Sequence, residues 1–251
     1  MSGENYPVPV ESSLPVDILP QPNETTCGPT CLHALYRFYG ETLDIARVVR
    51  EVRQLEGGGT FAVMLANHAL RRGYDAMLYS FNLKVFDPSW FDLDTSFLAT
   101  KLAQRLPILN GNRTRIVTEA FIEYFQLGGR IRFTDLSAAI IRKYINRGIP
   151  MITGLSSTWL YRSMREYGAQ CTSDDMQGEP GGHFVVLSGY DRDLARVRIA
   201  DPYLANPLSF TQTYMVEMER LLTSILLGIV THDADLLILT PREKSSRPPS
   251  A

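Results

Sequence analysis

Cysteine is scarce: the 251 residues hold three, at positions 27, 31 and 171. A small odd number cannot build the disulfide framework of a secreted domain, so the thiols read as free and the expected location is the cytoplasm. Long apolar runs are missing as well. Nothing approaches the ~18 consecutive apolar residues of a membrane span, and Met1–Leu14 has neither the basic region nor the apolar stretch of a signal peptide. No sign of charge dominates: 25 Lys and Arg against 27 Asp and Glu leave −2. That balance excludes a nucleic-acid binder tracking phosphates with a concentrated basic face. Internal repeats and low-complexity blocks are absent. What remains is an ordinary globular composition, 45% hydrophobic and 21% charged, able to bury one full-sized core.

The pattern predicts an extended arm over 1–14, with Pro7 and Pro9, and a charged, Pro-rich disordered tail over 241–251. Between them, 15–240 reads as a single domain. Helices are expected from Pro29 to Tyr39, with Leu32, Leu35, Tyr36 and Tyr39 at helical spacing and Gly40 as stop, and from Asp44, as N-cap, to Leu55. After Gly57-Gly58-Gly59 a third helix runs from Thr60 to Arg72, and Tyr74–Phe81 reads as a strand. Helices at 95–105, 113–126 and 137–146, with a short strand at 130–134, fall largely within an inserted helical region around 84–147. Beyond Pro150 short β-rich runs take over, at 149–155, 183–189, 196–200 and 235–240, with one more helix expected over Tyr214–Leu227. Helices first and a mainly antiparallel sheet afterwards make the fold class α+β.

The chemistry is concentrated in Gln21-Pro-Asn-Glu-Thr-Thr-Cys27-Gly28-Pro29-Thr30-Cys31. Proline is favoured in a helix's first turn, so Cys27 stands at a helix N-terminus. There the unpaired N–H groups and the positive end of the dipole favour a thiolate. Gly28 is expected to let a substrate backbone come close. Gln21 is near enough to join the Cys27 N–H in an oxyanion hole. A cysteine nucleophile needs a base, and the base an acceptor. His33 and His68 lie in helices and read as packed or surface residues, and His232 in a Thr-His-Asp turn reads as solvated. His183 differs, because it opens an apolar strand after Gly181-Gly182. A hairpin through Asp191-Arg192-Asp193 would return Asp201, at the end of the next strand, to its side. The set Cys27, His183, Asp201 has the roles of a Cys-His-Asp triad.

On these residues the chain resembles the bacteriocin-processing cysteine peptidases, the leader-cleaving domains of peptide-exporting ABC transporters, and their free-standing relatives. The family's Gln six residues before a Cys-Gly pair, its strand-opening His and its Asp-Pro strand end match Gln21, Cys27, His183 and Asp201. The resemblance implies a papain-like fold, with a helical half carrying the cysteine packed on a sheet carrying His and Asp. It is specific around 21–40 and 181–203. The span from Cys27 to His183 is much longer than in the leader peptidases, which is why an insertion is expected. No ATPase or membrane segment follows, so neither the transporter nor the double-glycine substrate is carried over.

The expected activity is therefore a cysteine hydrolase acting on a peptide or peptide-like amide bond, with no metal or organic cofactor, no nucleic acid and no membrane partner. A peptidyl or acyl transferase using the same triad, and an inactive peptide-binding module, are the competing readings. Bland alternatives exist for each residue. Cys31 reads as core and Cys171 as an incidental exposed thiol. Cys27-x₃-Cys31 lacks the second close ligand pair of a zinc site. Asp191 is a rival acceptor for His183 but sits in the connecting turn. The 57–59 glycines lack the lysine of a phosphate loop and read as a flexible loop beside the cleft. Trp159, Tyr161 and Tyr167 are candidates for a substrate groove or for plain packing.

Overall fold

Apolar side chains occupy both parities along the central strands, and both faces of the sheet are covered. In the computed structural model, which describes residues 12–168 and 170–242, the order of elements is β1 (Ser12–Ser13), α1 (Cys27–Phe38), α2 (Ile45–Glu51), α3 (Ala62–Arg71), β2 (Tyr74–Ser80), α4 (Thr95–Arg105), α5 (Asn112–Gln126), β3 (Arg130–Arg132), α6 (Ala138–Ile145), β4 (Met151–Ser156), α7 (Ser157–Tyr161), β5 (Glu166–Tyr167), β6 (Thr172–Ser173), β7 (Gly182–Asp191), β8 (Arg196–Ala200), β9 (Thr213–Glu217), α8 (Met218–Leu227) and β10 (Asp235–Pro241). The main sheet has the order β3-β2-β10-β4-β7-β8-β9, with β1 paired to β7, and only the β2–β3 pair is parallel. The fold is α+β with a mostly antiparallel sheet.

On β7, Phe184 and Val186 face a core shared with α1, α3 and α5, while Val185 and Leu187 face a second core shared with α6 and α8. A strand buried on both faces reads as a continuous apolar run, which is why 183–190 shows no polar alternation. Helix α1 is buried from Cys27 to Tyr36, and each leucine so buried, such as Leu32 or Leu35, contributes roughly 1.5–3 kcal/mol. Asp44 caps α2 through its side chain, accepting from Ala46 N–H at 3.2 Å, as its residue type demands.

Several elements depart from expectation. Helix α2 stops at Glu51 because Val52 is already extended, and α3 begins at Ala62 rather than Thr60. The expected helix over Tyr214–Leu227 is two elements: strand β9, then α8 from Met218. Tyr214 and Val216 are buried while Met215 and Glu217 are exposed, a period of two that pairs β9 with β8 and that a helical reading of the apolar residues absorbs. The 1–14 arm and the 241–251 tail fall mostly outside the described residues. Ser12 and Ser13 pair with Tyr190 and Gly189, and β10 continues through Pro241.

Candidate active site

Local sequence explains how each member of the site is placed. Helix α1 begins at Cys27 itself, with Pro29 in its first turn, and Thr26 gives it no side-chain cap. The orphan N–H groups there remain free for the sulfur. That sulfur lies near His183 and the backbone N–H groups of Phe184 and Gly28, all of which favour its ionised form. Cys31, one turn on, donates its S–H to the Phe184 carbonyl at 3.3 Å, so β7 meets α1 through both cysteines. Gly28 serves packing rather than substrate approach. A Cβ there would lie 2.6 Å from Thr60 Cγ2 and 3.2 Å from the Phe184 ring.

The β7–β8 hairpin sets the second contact. Val186 pairs with Ala200, so the next residue, Asp201, stands opposite Val185, diagonal to His183 on the same face. His183 Nε2 and Asp201 Oδ1 are 2.8 Å apart. With Nε2 engaged, Nδ1 is the ring nitrogen left for the Cys27 sulfur. Asp191, the rival acceptor, receives Leu194 N–H at 2.9 Å and closes the hairpin turn.

Asp201 is wholly buried and accepts four hydrogen bonds: from His183, from Tyr203 N–H (2.8 Å), from Tyr161 Oη (2.7 Å) and from Tyr214 Oη (2.6 Å). Burial alone would raise its carboxyl, but His183 and the two tyrosine hydroxyls hold it below the usual carboxylate range. Burial would likewise depress His183, yet Asp201 and Cys27 push it up to about 10. The Cys27 thiol, which burial alone would raise, is lowered by His183 and by the Phe184 and Gly28 N–H groups. The arrangement can therefore hold a thiolate against an imidazolium, backed by a buried carboxylate.

Cys27 and His183 line a cleft of about 290 Å³ together with Glu24, Arg113, Glu166, Cys171 and Asp233. The glycine loop borders it through Gly58 and Gly59, each with positive φ. Gln21 donates its backbone N–H to the Pro202 carbonyl at 2.9 Å, which ties it to the Asp201 strand end. Its side chain is not among the cleft-lining groups, and Oε1 is buried without a hydrogen-bond partner among the described residues. Cys171 is exposed at the cleft rim, its thiol raised by burial and by Glu166.

Tyr161 belongs to the site as a partner of Asp201, whereas Trp159 and Tyr167 stay half-exposed. Tyr214 has no counterpart in the sequence reading, and its strand period was the available signal. His232 is only partly solvated. It is partly buried in a left-handed conformation, with Nε2 at 3.3 Å from Thr114 Oγ1, and burial, Lys84 and Arg113 lower it to about 4.

Residues 110–220, a span that holds both His183 and Asp201, match the Peptidase_C39 like family. No curated protein matches the chain. Among solved structures it is similar to the peptidase domain of Streptococcus ComA, a bi-functional ABC transporter involved in quorum sensing: 14% identity, 90% of this chain and 99% of that one covered, TM-score 0.42. It is similar to a double glycine motif protease from an AMS/PCAT transporter, solved in complex with the leader peptide, at 14% identity, 92% and 95% coverage and TM-score 0.43. A Bacillus anthracis protein described as a C39-like peptidase gives 14% identity, 93% and 100% coverage and TM-score 0.47. No helix among the described residues is long and apolar enough to cross a membrane. In agreement with the resemblance carried by residues 21–40 and 181–203, the chain is similar over residues 110–220 to the Peptidase_C39-like cysteine peptidases.

Proposed function

We propose that the protein is a cysteine hydrolase that cleaves a peptide or peptide-like amide bond through a thioester on Cys27. The observation that carries this reading is the cleft that Cys27 and His183 line together, with His183 Nε2 held 2.8 Å from the buried Asp201 carboxylate and favouring the Cys27 thiolate. Cys27 attacks the carbonyl carbon. His183 gives its proton to the departing amine and then takes one from the water that opens the thioester. Asp201 orients the imidazole and favours its charged form. The Cys27 backbone N–H, at the start of α1, receives the developing oxyanion; for the Gln21 side chain, which lies outside the cleft lining, to join it, its amide must turn toward the sulfur.

Thiol labelling tests this without a known substrate. At about pH 6 a small alkylating reagent should modify Cys27 ahead of Cys171, because only Cys27 is held as a thiolate below the ordinary thiol range near 8.5. Above about pH 8.5 Cys171 should catch up, and later than a free thiol would, since Glu166 and burial raise it. His183→Ala should slow Cys27 labelling at low pH and leave Cys171 unchanged. Peptide mass spectrometry that finds Cys171 modified first at pH 6 would refute the activated nucleophile.

The hydroxyls on Asp201 supply a second expectation. Tyr214→Phe removes a 2.6 Å donor to a fully buried carboxylate, so the Asp201 carboxyl rises and is protonated sooner as pH falls. The acid limb of the kcat/KM profile should move to higher pH, with kcat reduced by about tenfold and KM little changed. A profile that only scales down, with the limb in place, would assign Tyr214 to packing alone.

A further inference from the structure

Asp233 lines the Cys27 cleft but takes no part in the Cys27–His183–Asp201 chain. Three elements clamp it. Its backbone N–H donates to Gly228 O at 3.0 Å, and Oδ1 accepts from Ala62 N–H at the start of α3 at 2.9 Å. Strand β4 gives way to it at Gly154, where a Cβ would sit 2.8 Å from Asp233 Cβ and 3.0 Å from Cγ. A Cβ on Gly228 would lie 2.6 Å from the Asp233 carbonyl oxygen. The residue is 7% exposed and is among those that line the cleft. Capping α3, whose own N-cap Phe61 offers no side-chain acceptor, accounts for Oδ1. Oδ2 has no hydrogen-bond partner among the described residues and is not one of the fully buried polar atoms. That leaves Oδ2 free to pair with a group that enters the cleft.

We propose that Asp233 is a specificity-determining residue that binds the substrate main chain, donating a hydrogen bond from Oδ2–H to a peptide carbonyl beside the bond attacked by Cys27. This rests on the reading of Cys27 as the nucleophile. The donor form follows from what surrounds the group. Burial and Asp235 on β10 raise the carboxyl well above the ordinary range, Cys27 on α1 adds to this, and the Ala62 N–H and Arg113 on α5 oppose it. His183 on β7, Glu24 and Glu166 line the same cleft, while α3 and β4 contribute an N–H and a glycine. Once ionised, Asp233 loses its donor and sets a negative charge beside the thiolate. Peptide capture then fails at a pH where the thiolate itself survives.

The experiment compares two reagents on Cys27: a small haloacetamide, which reports the thiolate, and a peptidyl chloromethyl ketone, which must lie in the cleft. The quantity read is the ratio of the peptidyl to the small-reagent rate constant, from about pH 6 to about pH 10. In the parent the ratio should decline as pH rises. Asp233→Ala should lower it about tenfold at neutral pH. Asp233→Asn keeps both an acceptor for Ala62 N–H and a donor toward the cleft, so its ratio should stay near the parent's neutral value and lose the alkaline decline. A parent ratio that is flat with pH, or an Asp233→Asn ratio that declines like the parent's, overturns the proposal, and neither readout depends on the alanine variant folding. Cys27 inert to both reagents would instead overturn the nucleophile reading beneath it.

Discussion

Replacing Cys27 with alanine is expected to reduce turnover of any peptide the parent cleaves by about 10⁴–10⁶-fold. The loss should be this large because the sulfur is the nucleophile, lining the cleft with His183, which with the Phe184 and Gly28 N–H groups favours its thiolate. Serine should rescue little, since a hydroxyl is not ionised by an imidazolium partner at neutral pH. The same substitution should leave the fold intact. It deletes one buried atom at the edge of the core and relieves His183 of a second charged neighbour without disturbing the Asp201 contact. A thermal midpoint no lower than the parent's is the expected companion result, as at other sites where function is held at some cost in stability. Full turnover by Cys27→Ala on the parent's substrate would remove Cys27 from the mechanism.

What the sequence makes legible is whatever is written locally. A cysteine followed by Gly-Pro marks a helix N-terminus, and α1 starts at Cys27. Two apolar runs joined by Asp-Arg-Asp mark a hairpin, and antiparallel register alone then puts Asp201 diagonal to His183. Side chains that reach the site from far along the chain carry no such mark. Tyr161 ends a five-residue helix, and Tyr214 sits on a strand whose Tyr-Met-Val alternation merges with the apolar helix after it. Asp233 caps a helix 171 positions away in sequence. Gly28 reads as room for a substrate until its neighbours, Thr60 and Phe184, are known. His232 reads as solvated until α5 is seen to pack Thr114 against it. In each case the missing term is tertiary: which distant element occupies the space beside the residue.

The largest effect outside the nucleophile is expected at Asp201, and it should fall on activity and stability together. Asp201→Ala leaves the Tyr161 and Tyr214 hydroxyls, the Tyr203 N–H and His183 Nε2 facing a void. Removing one partner of a buried, hydrogen-bonded charge pair costs about 3–5 kcal/mol. Activity should fall by about 10³–10⁴-fold, because burial, now opposed by Cys27 alone, lowers the His183 imidazolium and weakens the counter-charge of the thiolate. The pH dependence separates this from a simple packing defect. Asp201 has a depressed carboxyl in the folded state, so its contribution is present above the unfolded value of about 3.9 and is lost as pH falls through the folded one. His183 is raised to about 10, so its contribution is full below the unfolded value of about 6.5 and is lost as pH rises through about 10. Denaturant unfolding of parent and variant across pH should therefore show the greatest stability difference between about pH 4 and about pH 6.5. The gap should narrow toward strong acid, where Asp201 is protonated, and again as pH approaches 10, where the imidazolium loses its proton. A difference that stays constant across this range would mean that Asp201 holds the fold by shape alone, and that its charge supports neither His183 nor the thiolate.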